Sequence, residues 1–264
     1  MTSRLAVQQA LLPGSTPLEQ FQHAAAFGFD GVELNHGPRF DVREQRELIA
    51  DASRETGVAV AAICTTGQQD PVHPDHHERE RRVRELVELA DAASALGAAG
   101  VVSVPVRPSA GWEEAPLPDV AIEIYQYVAD ALSEGSAAIF LEPLNRYEAA
   151  FLNRVGQAAV LARMIDRPRV RALADLFHMN IEETSFDEPI LEAGSQLGHV
   201  HLAGNTRLEP GIGMLDPRPA FAALKRIDYG GWLSLECRLS GPPQDVLPAS
   251  ARYLRAMWEK AGDA

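Results

Sequence analysis

Eight short apolar runs alternate with eight longer amphipathic or alanine-rich stretches along the 264 residues. The runs lie near 4–9, 31–35, 58–64, 100–105, 138–142, 170–175, 198–202 and 232–236. The stretches lie near 17–27, 41–56, 76–96, 117–134, 155–166, 186–196, 217–227 and 245–261. Strict alternation of strand and helix patterns predicts a parallel sheet covered by helices. Eight such units close the sheet, so the expected fold class is α/β, a single (β/α)8 TIM barrel over residues 1–264. Local signals agree. Thr16-Pro17-Leu18-Glu19 reads as a helix start with a capping box. Gly28, Gly57 and Gly97 fall where helices should stop. Val83, Leu86, Val87 and Ala90 have helical spacing.

On this frame four polar residues stand out. Glu142, Asp175, His201 and Glu236 each sit at or next to the end of an apolar run, at steps of 33, 26 and 35 residues. One strand-plus-helix unit of an eightfold barrel takes about 30 residues. They therefore read as the C-terminal tips of four successive strands, which converge on one mouth. Three carboxylates and an imidazole there make a site for a divalent cation. The oxygen-rich set favours a fairly hard metal.

Other polar residues gather near these tips. Glu148 follows Glu142 by six residues and can lean back over the mouth, whereas Arg146 reads as a surface residue. His178 follows Asp175 by three residues, in what reads as a loop, and Arg207 follows His201 by six. His199 shares the parity of His201 and reads as a packing or hydrogen-bonding residue one layer down. Glu33 ends the second run and is placed to line the mouth, with a role in packing or in binding hydroxyls that its spacing does not specify. His73, His76 and His77 belong to a Pro-rich turn and read as polar loop residues rather than ligands.

Composition excludes several classes. A net charge of -13 argues against nucleic acid as a partner. No run approaches the ~18 apolar residues of a membrane span, and the first residues lack a signal-peptide core, so a cytoplasmic enzyme is expected. Cys64 and Cys237 lie in different runs, which gives no disulfide framework, and Cys237 is expected in the core. The only lysines are Lys225 and Lys260, both in helical stretches, so Schiff-base chemistry inside the barrel is not expected.

At these residues the chain resembles the xylose-isomerase-like TIM-barrel superfamily of sugar isomerases and epimerases. Within it, the chain looks most like the ketose 3-epimerases that act on tagatose or psicose. Glu142-Pro143-Leu144-Asn145-Arg146-Tyr147-Glu148 looks like their fifth-strand motif, Asp175 with His178 their sixth, His201 with Arg207 their seventh, and Glu236 their eighth. The resemblance covers roughly the C-terminal half. It implies one divalent ion, manganese first and then magnesium, cobalt or zinc, held by Glu142, Asp175, His201 and Glu236. It implies Glu142 and Glu236 as the acid/base pair, with Glu148, His178 and Arg207 contacting oxygens of a small carbohydrate, and a homo-oligomer. The N-terminal half departs from the family. Its aromatic first strand is replaced by Ala6-Val7-Gln8-Gln9, and the third and fourth strand ends read Cys64-Thr65-Thr66-Gly67 and Val104-Pro105-Val106. Those loops shape the substrate pocket. They also lack the extra histidines that the superfamily's three-zinc endonuclease needs.

The expectation is thus a metal-dependent isomerase or epimerase that abstracts a proton from a ketose-type sugar and passes through an enediolate. A keto-polyol dehydratase and a C-glycoside lyase would use the same barrel. A non-catalytic sugar-binding accessory subunit is disfavoured, because a binder has no need of two carboxylates flanking its ligand.

Overall fold

The computed structural model describes residues 3–66, 70–104, 117–132, 135, 137–149 and 151–262. Gly67, Pro105 and Val106, named above, lie outside them. Eight strands form a closed parallel barrel in sequence order: β1 (Arg4–Gln8), β2 (Gly31–His36), β3 (Ala59–Thr65), β4 (Gly100–Ser103), β5 (Ala138–Leu141), β6 (Val170–Asp175), β7 (Leu197–Leu202) and β8 (Trp232–Leu235). Closure is made by β1, which pairs with β2 on one side and with β8 on the other, Val7 opposite Leu235. The fold expected from the alternation is the one formed.

The helices wrap this barrel: α1 (Pro17–Phe27), α2 (Arg46–Thr56), α3 (His76–Ala95), α4 (Leu117–Ala131), α5 (Val155–Ile165), α6 (Leu176–Glu182), α7 (Asp187–Ala193), α8 (Arg218–Arg226) and α9 (Pro243–Lys260). The capping box forms as the sequence suggests: Glu19 N donates to Thr16 Oγ1 at 3.3 Å, and Thr16 N donates to Glu19 Oε2 at 3.2 Å. Gly28 ends α1 in the left-handed region, at φ 89, where a side chain would be strained.

Two boundaries differ from expectation. The stretch after Asp175 is helix α6, not a loop. The second helical stretch begins at Arg46 rather than near 41, because Asp41 Oδ1 accepts from Arg43 N at 2.9 Å and holds a turn there. No helix of the described residues is long and apolar enough to cross a membrane.

Strand parity sets what faces inward. Leu5, Val7, Val32, Leu34, Ile139, Leu141, Val200 and Leu202 point outward, into the main core under the helices. The opposite parity fills the barrel. Ala62, Cys64, Val102, Phe140 and Leu173 form an apolar plug, with the His199 ring stacked on Phe140 at 5.2 Å between centroids. Gly198 makes room for that plug, since a Cβ there would sit 2.6 Å from the Phe140 ring. The polar site rests on this apolar layer.

Candidate metal centre

Each of the four residues is carried inward by its strand's parity or by a one-residue continuation. Glu142 follows β5, and its N–H still donates to Ser103 O at 3.0 Å. Pro143, without a donor, then breaks the ladder. Asp175 closes β6, opposite His201 on β7 in the parallel register. Glu236 follows β8, its N–H donating to Leu202 O at 3.1 Å. Asp175 also caps α6, accepting from Phe177 N through Oδ1 at 2.7 Å, which leaves Oδ2 to face the site.

The barrel brings all four together: one ligand atom from each of Glu142, Asp175, His201 and Glu236 lies within 4.8 Å of the others. Asp175 and His201 are essentially inaccessible, and the Glu236 side chain retains 17% exposure. His201 Nδ1 stands 3.2 Å from Glu142 Oε1 and 2.8 Å from Glu236 Oε2. Glu236 Oε2 is near enough for an ion pair but not aligned for a hydrogen bond. Like Asp175 Oδ2, it is a buried oxygen without a hydrogen-bond partner among the described residues. Buried orphaned carboxylate oxygens cost free energy unless a positive charge answers them. Three carboxylates and one imidazole nitrogen at this spacing fit a divalent cation.

The electrostatics express the same crowding. Burial pushes the Glu142 carboxyl up, and the neighbouring Glu236 and Asp175 charges add to this against the pull of His201. Burial opposes ionisation of Glu236 too, but the His201 charge outweighs it and brings the group down to about 2. Burial disfavours a charged His201, yet Glu33, Glu236 and Glu142 raise it well above the usual imidazole range. The cluster thus holds positive charge strongly.

The three residues expected to touch substrate surround this group. Glu148 Oε1 lies 3.5 Å from Arg207 Nη1, and Arg207 Nη2 lies 3.9 Å from Glu236 Oε2. Arg207 packs over the Phe177 ring, its Cζ 4.7 Å from the centroid. His178 is buried in the first turn of α6, with Nε2 3.3 Å from Arg207 Nη1 and 3.6 Å from Asp175 Oδ2. A cavity of about 740 Å³ opens above, lined by Glu142, Glu148, Arg207 and Glu236 from the C-terminal half. Gln8, Asn35, Arg39, Phe40 and Thr65 line it from the N-terminal half. Asp175, His178 and His201 lie beneath its lining.

Arg146 stands apart, pairing with Glu182 at 2.9 and 3.0 Å, as a surface reading suggests. His73 and His76 make local contacts at the start of α3, with Asp75 N and Glu80. Cys237 is only partly buried and lies beyond the end of β8, rather than deep in the core. Three residues matter more than their sequence context suggests. Asn145 is buried and binds His178. Gln8 bridges Glu33 and Glu236. Glu33 lies beneath the mouth rather than lining it, held by both histidines of β7. Period two in β1 and β2 was the available signal for Gln8 and Glu33.

Residues 21–257 match the model of the family described as Xylose isomerase-like TIM barrel. Over 114 residues, 43% of this chain and 40% of the other, the chain is 36% identical to the probable ketose 3-epimerase of Synechocystis. It is 25% identical over 90% of its length to the hydroxypyruvate isomerase of Escherichia coli, covering 92% of that protein. The structure superposes on 3-keto-D-glucoside 4-epimerase from E. coli with a TM-score of 0.85 and 26% identity, covering 97% of this chain and all of that one. The matched stretch spans half or less of the curated epimerases. The family match, the closed barrel and the inward carboxylate–histidine cluster agree: this chain belongs to the xylose isomerase-like TIM-barrel family, among relatives that are sugar epimerases and isomerases.

Proposed function

We propose that the chain is a divalent-metal-dependent epimerase of a ketose-type carbohydrate. The observation that carries this reading is the placement of Glu142 and Glu236 in one cluster, both lining the cavity and each directly after one of two strands three steps apart around the ring. Two carboxylates so placed approach a substrate from two sides. The proposed ion, manganese first, would be held by Glu142, Asp175, His201 and Glu236. When bound it supplies the positive charge that polarises a carbonyl and offsets the negative charge developed on proton removal.

The remaining chemistry belongs to side chains of this chain. One glutamate takes the proton from the hydroxyl-bearing carbon beside the carbonyl, and the C–H electron pair passes into an enediolate. The other glutamate gives a proton to the opposite face of that carbon, which inverts it. Arg207, Glu148 and His178 hold substrate oxygens so that the carbon stays between the two carboxylates. The relatives support the reaction class. A ketose, a 3-keto glucoside and hydroxypyruvate share a carbonyl next to a hydroxyl-bearing carbon. Aldose–ketose isomerisation uses the same residues and differs in which carbon receives the proton.

The test is a panel of ketoses, 3-keto glycosides and hydroxypyruvate incubated with Mn²⁺ in D₂O and followed by NMR. Deuterium entering at C3 of a ketose is the expected result, and entry at C1 or C2 reassigns the reaction to isomerisation. A metal-loaded protein that exchanges no carbon-bound hydrogen in any of them defeats the proposal.

A further inference from the structure

Beneath the four-residue cluster lies a second layer of buried polar groups that the proposed reaction does not use. Glu33, on β2, is fully inaccessible. Its Oε2 is 2.6 Å from His199 Nε2, and its Oε1 is 3.1 Å from His201 Nε2. Gln8, its register partner on β1, donates through Nε2 to Glu33 Oε1 at 3.0 Å and to Glu236 Oε1 at 2.8 Å. An amide group between two carboxylate oxygens must present its NH₂ to them, since its carbonyl would repel both. A carboxylate buried in a barrel costs too much to persist without donors. Here an amide and two imidazoles supply them.

The directions of these bonds matter for the site above. His201 Nε2–H points down to Glu33, so Nδ1 is the nitrogen turned toward Glu142 and Glu236. Gln8 engages Oε1 of Glu236, so Oε2 is the oxygen turned toward His201 Nδ1.

We propose that Glu33 and Gln8 are positioning residues of the metal centre. Glu33 fixes the tautomer and ring angle of His201 through Nε2, and Gln8 ties that carboxylate to Glu236 and selects the oxygen Glu236 presents. A carboxylate behind a ligating histidine raises its donor strength and locks its orientation. The inference rests on the reading of Glu142, Asp175, His201 and Glu236 as ligands.

The experiment measures Mn²⁺ affinity by calorimetry and the visible spectrum of the Co²⁺-loaded full chain for wild type, Glu33→Gln and Gln8→Met, together with the melting temperature of each metal-free protein. Glu33→Gln is expected to weaken Mn²⁺ binding by about 10–100-fold. Gln8→Met weakens it in the same direction, and both shift the Co²⁺ bands. Packing alone lowers the melting temperature and leaves affinity and spectrum unchanged, which overturns the proposal. Should Glu33→Gln fail to fold, Gln8→Met decides by the same two readouts. A wild-type chain that takes up neither ion overturns the metal reading and this inference with it. A wild type that binds, alongside variants that bind equally well, overturns this inference alone.

Discussion

The backbone N–H of Asn145 donates to His178 Nδ1 over 3.1 Å, and the Asn145 side-chain nitrogen lies 2.8 Å from the same atom. A ring nitrogen that accepts carries no proton, so the His178 proton resides on Nε2. That N–H faces Asp175 Oδ2 at 3.6 Å, and under the proposed function it would donate to a substrate oxygen. Replacing His178 with Ala is expected to lower kcat/KM by about 10–100-fold, roughly 1.4–2.7 kcal/mol of transition-state binding. Steady-state kinetics with the ketose that exchanges in D₂O checks this, and an unchanged kcat/KM removes His178 from the binding set.

Glu142→Gln and Glu236→Gln each remove a group able to carry a proton. Each is expected to slow turnover by about 10²–10⁴-fold. The double variant should be little worse than either single one, because residues that act as a unit are not additive. Variants that keep wild-type deuterium incorporation while folded would show that the proton passes elsewhere.

Removing metal should expose the repulsion among Glu142, Asp175 and Glu236. An ion bound only by the folded chain adds about 2.7 kcal/mol at 100 times its Kd. Chelation is therefore expected to lower the melting temperature and Mn²⁺ to restore it, while Asp175→Asn, which weakens one of the four proposed ligands, shrinks the increment. Calorimetric scans with and without ion on both proteins decide it.

Asp41 links the turn before α2 to acid stability. Hydrogen bonds from the Arg43 side chain, against partial burial, lower its pKa from 3.8 to about 2. A carboxyl lowered on folding contributes stability that is complete above its unfolded value and lost as pH falls through the folded one. Asp41→Asn should therefore destabilise at pH 6, and the difference from wild type should vanish as pH falls from about 4 toward 2. Urea unfolding at pH 6, 4 and 2.5 measures it, and a difference independent of pH refutes the linkage.

Gly198→Ala places a methyl against the Phe140 ring, in the apolar layer below the carboxylate–histidine cluster. Overpacking of this kind costs about 1–3 kcal/mol. Adding Phe140→Leu should recover part of the loss. Denaturant midpoints for the single and double variants show whether the two changes couple, and additivity would mean that the ring has room.

Sequence alone determined the barrel and the four-residue cluster. Alternating apolar runs and amphipathic stretches encode strand and helix locally, and parity plus a near-constant unit length carries Glu142, Asp175, His201 and Glu236 to one mouth. The nearness of His178 and Arg207 to that cluster was legible from their short offsets to Asp175 and His201. The capping strength of Asp175 was not, because a three-residue gap to His178 suits a loop as well as the first turn of α6. Gln8 and Glu33 are a different case: period two turns them inward, but the partners they find there were out of reach. They meet His199, His201 and Glu236 only because β1 closes the ring against β8 and the register sets Gln8 beside Glu33. Those contacts join residues up to 228 positions apart. Closure and register are properties of the whole sheet, so the tertiary structure alone decided what stands behind His201 and Glu236.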